Sequence, residues 1–300
     1  NNVIADEIEE VVVTSSYINQ LSDEIKNPLH IITEQELETN PTQSLGESID
    51  NLLGVSSSDY GAAVGQPIIR GMSGSRVKVL NNGLLVRDIS GLGADHLNEV
   101  DMNNVKQIEI VRGPSSLMYS NGAIGGIVNV VDDTIAKQDF KERDLRLGLE
   151  TQSANDGEVA QFSYKDNLGG LNISLAYKDG SFDNYDIPIG AIIHSEEEHE
   201  EEHDDEEHEE HDEDLGYLEN SDYESETFRL GLSTASDWGH FGASFQNSES
   251  LYGIPFHGEG HEGHGGHDED HDDDQDGEEE GIFSNTDSET FNIEGSYVLS

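Results

Sequence analysis

Two tracts of the sequence combine histidine with a high density of acidic side chains. Residues 194–214 contain 15 Asp or Glu and residues 257–281 contain 12, and neither tract contains Lys or Arg. Imidazole nitrogen together with carboxylate oxygen suits Zn²⁺, and also Cu²⁺ or Ni²⁺, whereas carboxylates alone would favour Ca²⁺ or Mg²⁺. The candidate metal ligands in the tracts are His194, His199, His203, His208, His211, His257, His261, His264, His267 and His271.

The spacing of these histidines does not match a closed structural site. Structural zinc sites use four ligands at short, defined intervals, whereas both tracts repeat the same residue types irregularly. The pattern predicts a collector that holds several cations and raises their local concentration. Acid-rich segments with few apolar residues are also typical of solvated, disordered sequence, and this alternative stays open.

The composition limits the classes of partner. The 300 residues have a formal net charge of −51, and outside the tracts 38 acids still face 14 bases. This charge argues against a nucleic-acid partner, because phosphate binding requires basic surface. The sequence has no cysteine, so the fold uses no disulfide and nitrogen and oxygen must ligate any metal. It also has no run of 18 apolar residues of the kind that predicts a transmembrane helix.

The segment 105–131 predicts two strands with an irregular connection between them. Ile108–Val111 and Ile127–Val131 are short runs rich in β-branched residues. The connection contains Gly113, Pro114, Gly122, Gly125 and Gly126. We interpret these glycines as positions that need unusual dihedral angles or close packing, because the segment lacks the strand-to-helix order of a nucleotide-binding loop. With no combination of nucleophile and base in the sequence, we predict that the protein is not an enzyme.

Residues 108–114 read Ile-Glu-Ile-Val-Arg-Gly-Pro, and residues 119–129 read Tyr-Ser-Asn-Gly-Ala-Ile-Gly-Gly-Ile-Val-Asn. Both segments resemble the plug domain of TonB-dependent outer-membrane receptors. The resemblance implies an α+β plug domain over residues 21–135, followed by antiparallel transmembrane β-barrel strands. It also implies a location in the cell outer membrane of a Gram-negative-type bacterium, in contact with outer-membrane lipid.

The same resemblance implies a TonB-type periplasmic energy transducer as partner. In this family a short extended segment near the N-terminus, the TonB box, offers its backbone edge to that partner by β-strand addition. Residues 1–20 are the corresponding region. The residues assigned to the box are Glu10, Val11, Val12, Val13 and Thr14.

Residues 136–300 alternate apolar and polar side chains. The alternation predicts six strands, near 145–149, 159–165, 171–177, 227–233, 241–246 and 291–299. Alternation suits either a half-buried soluble sheet or lipid-facing barrel strands, and the resemblance favours the barrel. Short connections alternate with long ones near 182–224 and 248–286, so both long loops and both tracts are expected on one outer face. Because six strands cannot enclose a plug, we expect the chain to be an N-terminal fragment.

Asp95 and His96 are candidates for an inner metal site. The segments 70–83 and 93–101 are similar to the zinc-uptake subgroup of these receptors, in which an adjacent Asp-His pair on the plug helps to hold zinc. The expected function is therefore import of zinc or a similar divalent transition metal, captured by the tracts and passed to the top of the plug, with no catalytic cofactor. Two alternatives stay open: a receptor of this class for another cargo, such as a siderophore, haem or a copper or nickel complex, and a surface metal-binding protein that does not transport.

Overall fold

The computed structural model describes residues 12–13, 20–21, 29–39, 42–61, 64–93, 95–113, 116, 121–191, 216–255 and 281–298. The α-helices are α1 (Glu34–Thr39) and α2 (Leu45–Ile49), and two 3₁₀ turns cover Gly74–Arg76 and Ile89–Gly91. The strands of the first part are β1 (Val12–Val13), β2 (Gln20–Leu21), β3 (Leu29–Thr33), β4 (Val55–Tyr60), β5 (Val64–Ile69), β6 (Val77–Asn81), β7 (Leu84–Leu85), β8 (Val105–Val111) and β9 (Gly126–Asp132). The strands of the second part are β10 (Asp144–Gln152), β11 (Gly157–Asn167), β12 (Asn172–Phe182), β13 (Tyr185–Asp186), β14 (Tyr217–Leu218), β15 (Tyr223–Ser236), β16 (Gly239–Gly253) and β17 (Phe283–Tyr297).

The strands form two main sheets. The plug contains a five-stranded sheet in the order β3-β8-β9-β6-β7, in which only β6 and β9 run parallel. Beside it, β4 and β5 form a hairpin. The second sheet is an antiparallel meander in the order β10-β11-β12-β15-β16-β17. An α+β plug followed by antiparallel strands is the predicted fold class, and the six meander strands lie where the alternation placed them.

The two segments at 108–114 and 119–129 supply the centre of the plug sheet. Glu109 on β8 and Asn129 on β9 are both fully buried, and Asn129 Nδ2 donates to Glu109 Oε2 across 2.9 Å. Asn129 Oδ1 accepts from the Gly83 N–H at 2.8 Å, which ties the β6–β7 turn to the same sheet. A Cβ on Gly126 would lie 2.9 Å from the Val111 carbonyl oxygen, so glycine lets the two strands approach.

Helix α2 is shorter than the sequence indicates. The apolar spacing predicts a helix over 44–53, but α2 ends at Ile49. Ser44 caps it by accepting from the Glu47 N–H at 3.2 Å, while Leu53 is 89% exposed and faces away from the core. The helix stops because the chain turns into β4, a strand that the polar sequence of residues 56–59 does not reveal.

The exposed face of the second sheet is apolar. Leu149 is 89% exposed, and the other exposed apolar side chains on this face include Leu145, Leu147, Phe228, Leu232, Phe241, Phe291 and Ile293. The opposite face contacts the plug through polar side chains. A soluble half-buried sheet would have the reverse arrangement, so this pattern is that of barrel strands facing lipid.

The apolar band has a polar boundary on one side and an aromatic boundary on the other. On β15 the band extends from Phe228 to the turn containing Trp238. At ~3.3 Å per residue and ~45° of tilt this is a height of about 23 Å, which fits a membrane band of roughly 25 Å. Beyond Phe228 lies a row of exposed carboxylates paired across neighbouring strands: Asp179, Glu226, Glu249 and Asp287. This row lies at the same end of the strands as both long connections. Among the described residues, no helix is long and apolar enough to span a membrane.

Candidate metal site at the apex of the plug

Asp95 and His96 lie in the loop between the second 3₁₀ turn and β8, residues 92–104, which we call the apex loop. Gln66 on β5, which is almost fully buried, holds the start of this loop. Its Nε2 lies 3.1 Å from Ser90 O, 2.7 Å from Gly93 O and 2.6 Å from His96 O. One amide group thus fixes the backbone on both sides of Asp95.

Gly93 brings the two candidate ligands close to one point. A Cβ built on Gly93 would lie 2.2 Å from Asp95 Oδ1 and 3.7 Å from His96 Cδ2. Both side chains therefore flank the space above Gly93, and both are half-buried. This arrangement places one carboxylate and one imidazole where they could bind the same cation.

The barrel wall also contacts the candidate site. Tyr252, near the end of β16, is 0% exposed, and its hydroxyl lies 3.3 Å from His96 Nδ1. The same hydroxyl oxygen accepts from the Leu97 N–H at 3.3 Å. Tyr252 packs in an apolar cluster with Val64, Val159, Phe182, Tyr223 and Ile254. The cluster joins the plug to the outer ends of the strands.

The described residues supply only part of a metal coordination sphere. Within them, no group of three or more His, Cys, Asp or Glu side chains is placed to hold an ion. A four-coordinate zinc ion would need further ligands beside Asp95 and His96. The ten tract histidines lie outside the described residues, and so do Glu10, Val11 and Thr14 of the TonB box. Val12 and Val13 form β1, which pairs with β2.

The bases of both long connections lie at the end of the strands nearest Asp95 and His96. The first tract is inserted between β13 and β14, where the Ile187 N–H donates to Gly216 O at 2.9 Å. The second is inserted between β16 and β17, where the Ile254 N–H donates to Ile282 O at 2.9 Å. The described bases of both connections therefore lie at the same end of the strands.

Asn220 joins the two bases. It has a left-handed backbone with φ 55°, and its Nδ2 donates to both Ile254 O and Ile282 O at 2.8 Å. A Cβ on Gly253 would lie 2.3 Å from Asn220 O, and a Cβ on Gly281 would lie 2.7 Å from Asn220 Oδ1. Asn220, which follows the first long connection, is thus packed closely against the residues on both sides of the second long connection.

Glu99 extends the negative charge of the apex loop inward. Its N–H donates to Asp88 Oδ2 at 2.9 Å, and it lines a cavity of about 470 Å³ between the plug and strands β15 to β17. Burial raises the pKa of Glu99, the nearby Asp88 carboxylate raises it further, and a hydrogen bond with Ser288 opposes both effects. The lining of this cavity combines the acidic Glu99, Asp132 and Glu294 with Arg87 and Arg229, and it also includes apolar side chains.

Sequence reasoning identified the Asp-His pair but not the residues that hold it. Gln66 is a polar side chain inside the apolar run 64–69, and this exception is a usable signal of a buried hydrogen-bonding role. Tyr252 is 156 residues from His96 along the chain, and nothing in its local sequence indicates the contact.

Comparison with known proteins shows which sequences the chain is similar to. Residues 22–127 match the family model described as TonB-dependent Receptor Plug Domain. The chain is 28% identical over 169 residues to the vitamin B12 transporter BtuB of Vibrio cholerae serotype O1, an alignment that covers 56% of this chain and 27% of BtuB. The chain thus spans little more than a quarter of the length of this curated relative.

Solved structures share the fold. The copper transporter OprC superimposes with a TM-score of 0.57 at 14% identity, covering 76% of this chain and 32% of OprC. The ferric-catecholate import receptor Fiu of E. coli K12 gives a TM-score of 0.56 at 13% identity, covering 78% of this chain and 28% of Fiu. The ferric yersiniabactin uptake receptor FyuA of Yersinia pestis gives 0.54 at 16% identity, covering 76% and 32%.

The plug sheet, the outward apolar strand faces and these matches define the fold as a plug domain followed by antiparallel β-barrel strands. Residues 22–127 match the plug domain of TonB-dependent receptors, and the matches support a TonB-dependent receptor. The predicted location, the outer membrane of a Gram-negative bacterium, is confirmed.

Proposed function

We propose that this chain is the N-terminal part of a TonB-dependent receptor that imports zinc or a similar divalent transition metal. The observation that supports this cargo is the position of Asp95 and His96. They lie together above Gly93 at the apex of the plug, beside Tyr252 and close to the base of the second tract. A carboxylate with an imidazole suits a borderline-soft cation better than it suits Ca²⁺ or Mg²⁺.

The first step of the proposed mechanism is capture by the two tracts. Their carboxylates concentrate cations over roughly 8 to 10 Å at physiological salt, and their histidines select transition metals. A ligand histidine must be neutral, so acidification through the reference histidine pKa of about 6.5 weakens capture. The captured ion then passes to Asp95 and His96.

The second step is release into the periplasm. The transducer adds a strand to the TonB box, Glu10 to Thr14, and pulls on the plug. In the part of the chain that the structure describes, β1 pairs with β2 alone, which leaves its other edge for this addition. The pull rearranges the apex loop and separates the ion from its ligands.

A second candidate is a receptor of the same class for another cargo. The names of the relatives include carriers of vitamin B12, copper and ferric chelates. The connections at 182–224 and 248–286 contain no Lys or Arg, which argues against an anionic chelate. A copper ion remains compatible with the same ligand types. A surface metal-binding protein that does not transport is less well supported, because it has no use for a plug.

Uptake of radioactive zinc by cells that carry the full-length receptor tests the proposal. We expect energy-dependent uptake that is lost when the transducer is deleted, when residues 10–14 are removed, and in an Asp95→Ala/His96→Ala variant. Equal uptake by cells with and without the receptor would contradict zinc import. Uptake of copper but not zinc, with the same dependence on Asp95 and His96, would support the second candidate.

A further inference from the structure

We propose that Tyr252 is a positioning residue that holds the imidazole of His96 so that Nε2 is the atom presented to the cation. This inference rests on the proposed function, because it assumes that His96 binds the cargo. The tyrosine belongs to the barrel wall and the histidine to the plug, and their 3.3 Å contact is at Nδ1. With Nδ1 engaged, Nε2 is the nitrogen left for a metal ion.

The hydrogen bonds around the Tyr252 hydroxyl are compatible with His96 both without and with a bound metal ion. The oxygen accepts from the Leu97 N–H, so without metal the hydroxyl proton can be donated to Nδ1 while Nε2 carries the imidazole proton. With a metal on Nε2, the imidazole proton is on Nδ1 and is donated to the same oxygen, while the hydroxyl rotates so that its own proton no longer points at Nδ1. Metal-ligating histidines generally make such a contact through their second nitrogen, and it fixes both the tautomer and the orientation of the ring.

The ring of Tyr252 is held firmly enough for this role. It is completely buried and packs with Phe182, Tyr223 and Ile254. The rings of Phe182 and Tyr223 stack at 5.5 Å with 9° between their planes, which closes the cluster behind Tyr252. On the other side, Gln66 fixes the carbonyl of His96 at 2.6 Å. The imidazole is thus held between a rigid backbone and a rigid hydroxyl.

The test compares the effect of removing the Tyr252 hydroxyl with the effect of removing a neighbouring tyrosine hydroxyl. Tyr252→Phe keeps the ring in the cluster and removes the contact with Nδ1. Tyr223→Phe is the matched control, because Tyr223 lies in the same buried cluster while its hydroxyl bonds to Ser225. The protein is the full-length receptor in detergent, with residues 194–214 and 257–280 removed so that Zn²⁺ added alone reports on the apex. We expect about tenfold weaker zinc binding for Tyr252→Phe and unchanged binding for Tyr223→Phe.

A spectroscopic measurement separates positioning from general support of the fold. With Cu²⁺ as the probe ion, pulsed electron paramagnetic resonance detects the imidazole nitrogen remote from the metal, and its quadrupole coupling responds to the hydrogen bond on that nitrogen. Tyr252→Phe should shift this coupling, whereas Tyr223→Phe should leave it as in the parent protein.

The outcomes distinguish this inference from the proposed function. If Asp95→Ala/His96→Ala abolishes tight binding while Tyr252→Phe matches the parent in affinity and remote-nitrogen coupling, the positioning role is wrong and the metal site stands. If the double variant binds zinc as the parent does, the metal site at Asp95 and His96 and the positioning role of Tyr252 are both wrong. Weaker binding with an unchanged coupling would also contradict the inference, because a loosened fold alone would produce it.

Discussion

Arg229 on β15 donates through Nη1 to Oδ2 of Asp132, at the end of β9, across 3.2 Å, and both side chains are only 5% exposed. Its Nη2 bonds to the Asp101 carboxylate and to Asn103 O, the latter at 2.9 Å. One arginine of the barrel wall therefore ties together the apex loop and the central sheet of the plug. Lys165 adds a second contact, an ion pair with Asp133 at 2.5 Å that lacks hydrogen-bond geometry.

Removing this arginine should loosen the plug. Arg229→Gln leaves Asp101 and Asp132 buried without their cation, a change that costs roughly 3–5 kcal/mol. We expect faster hydrogen exchange of the backbone amides of β9. Arg143→Gln is the control, since Arg143 pairs with Asp166 at 3.0 Å but is 67% exposed, so solvent screens the pair and its loss should have little effect on stability. Equal effects of the two substitutions would contradict this account of plug attachment.

The ion pair between Arg229 and Asp132 predicts that the plug loses stability at low pH. Burial opposes ionisation of Asp132, but the Arg229 charge and hydrogen bonds from Thr134 and Asn82 outweigh it and lower the pKa below the ordinary 3.8. Stabilisation by a carboxyl of lowered pKa is present above its unfolded-state value and is lost as pH falls through the folded-state value. Protection of β9 should therefore change little from pH 7 to pH 5 and decline below about pH 4. In Arg229→Gln, the protection of β9 should no longer depend on pH in this range. If that variant loses protection below about pH 4 as the parent protein does, Asp132 is not the group responsible.

Gly93 should be required for metal binding but not for folding. An alanine Cβ there would lie 2.2 Å from Asp95 Oδ1 and would displace the carboxylate. We expect about tenfold weaker zinc affinity for Gly93→Ala, measured on full-length receptor lacking the two tracts. Gly91→Ala is the matched control, because a Cβ on Gly91 would meet nothing within 4 Å. If both substitutions bind zinc as the parent protein does, Asp95 does not ligate the ion in this conformation.

Asn220 should hold the bases of the two tract-bearing connections together. Asn220→Gly removes both hydrogen bonds to the second connection while tolerating the left-handed backbone, at a cost of about 1–3 kcal/mol. The measurement is hydrogen exchange at Gly253 and Ile254, which should accelerate. Asn104→Gly provides the comparison, because Asn104 has a similar φ of 60° and its Nδ2 has no hydrogen-bond partner. Acceleration in both variants would mean that backbone flexibility, not the side chain, is responsible.

The sequence predicts most of the architecture because the physical signals are local. Alternation of leucine with polar residues on β10 predicts a strand with one apolar face, and the resemblance to the plug family assigns that face to lipid. The lengths of the connections predict which end of the strands carries the loops. The dipeptide Asn82–Gly83 is typical of a tight turn, and in the structure both residues have positive φ between β6 and β7. Strand β4 was missed because its Ser-Ser-Ser-Asp segment has neither alternation nor β-branched residues, and pairing with β5 alone defines it.

The sequence indicates only part of the candidate site. Asp95 and His96 were found through resemblance, whereas Tyr252 and Asn220 act through contacts between segments far apart in the chain. Such contacts depend on the register of β15 and β16 around the plug, and a single-residue shift would place the Tyr252 side chain on the opposite face. The local sequence pattern does not indicate this register.

Calorimetric titration of the full-length receptor with Zn²⁺ tests the central claim most directly. The proteins are the wild type, Asp95→Ala/His96→Ala, the control His30→Gln on β3 of the plug, and a variant lacking residues 194–214 and 257–280. We predict one tight site that the double variant lacks and His30→Gln retains, and weaker binding of several ions that disappears with the tracts. Tight binding that persists in the double variant, or Ca²⁺ binding as strong as Zn²⁺ binding, would contradict the account.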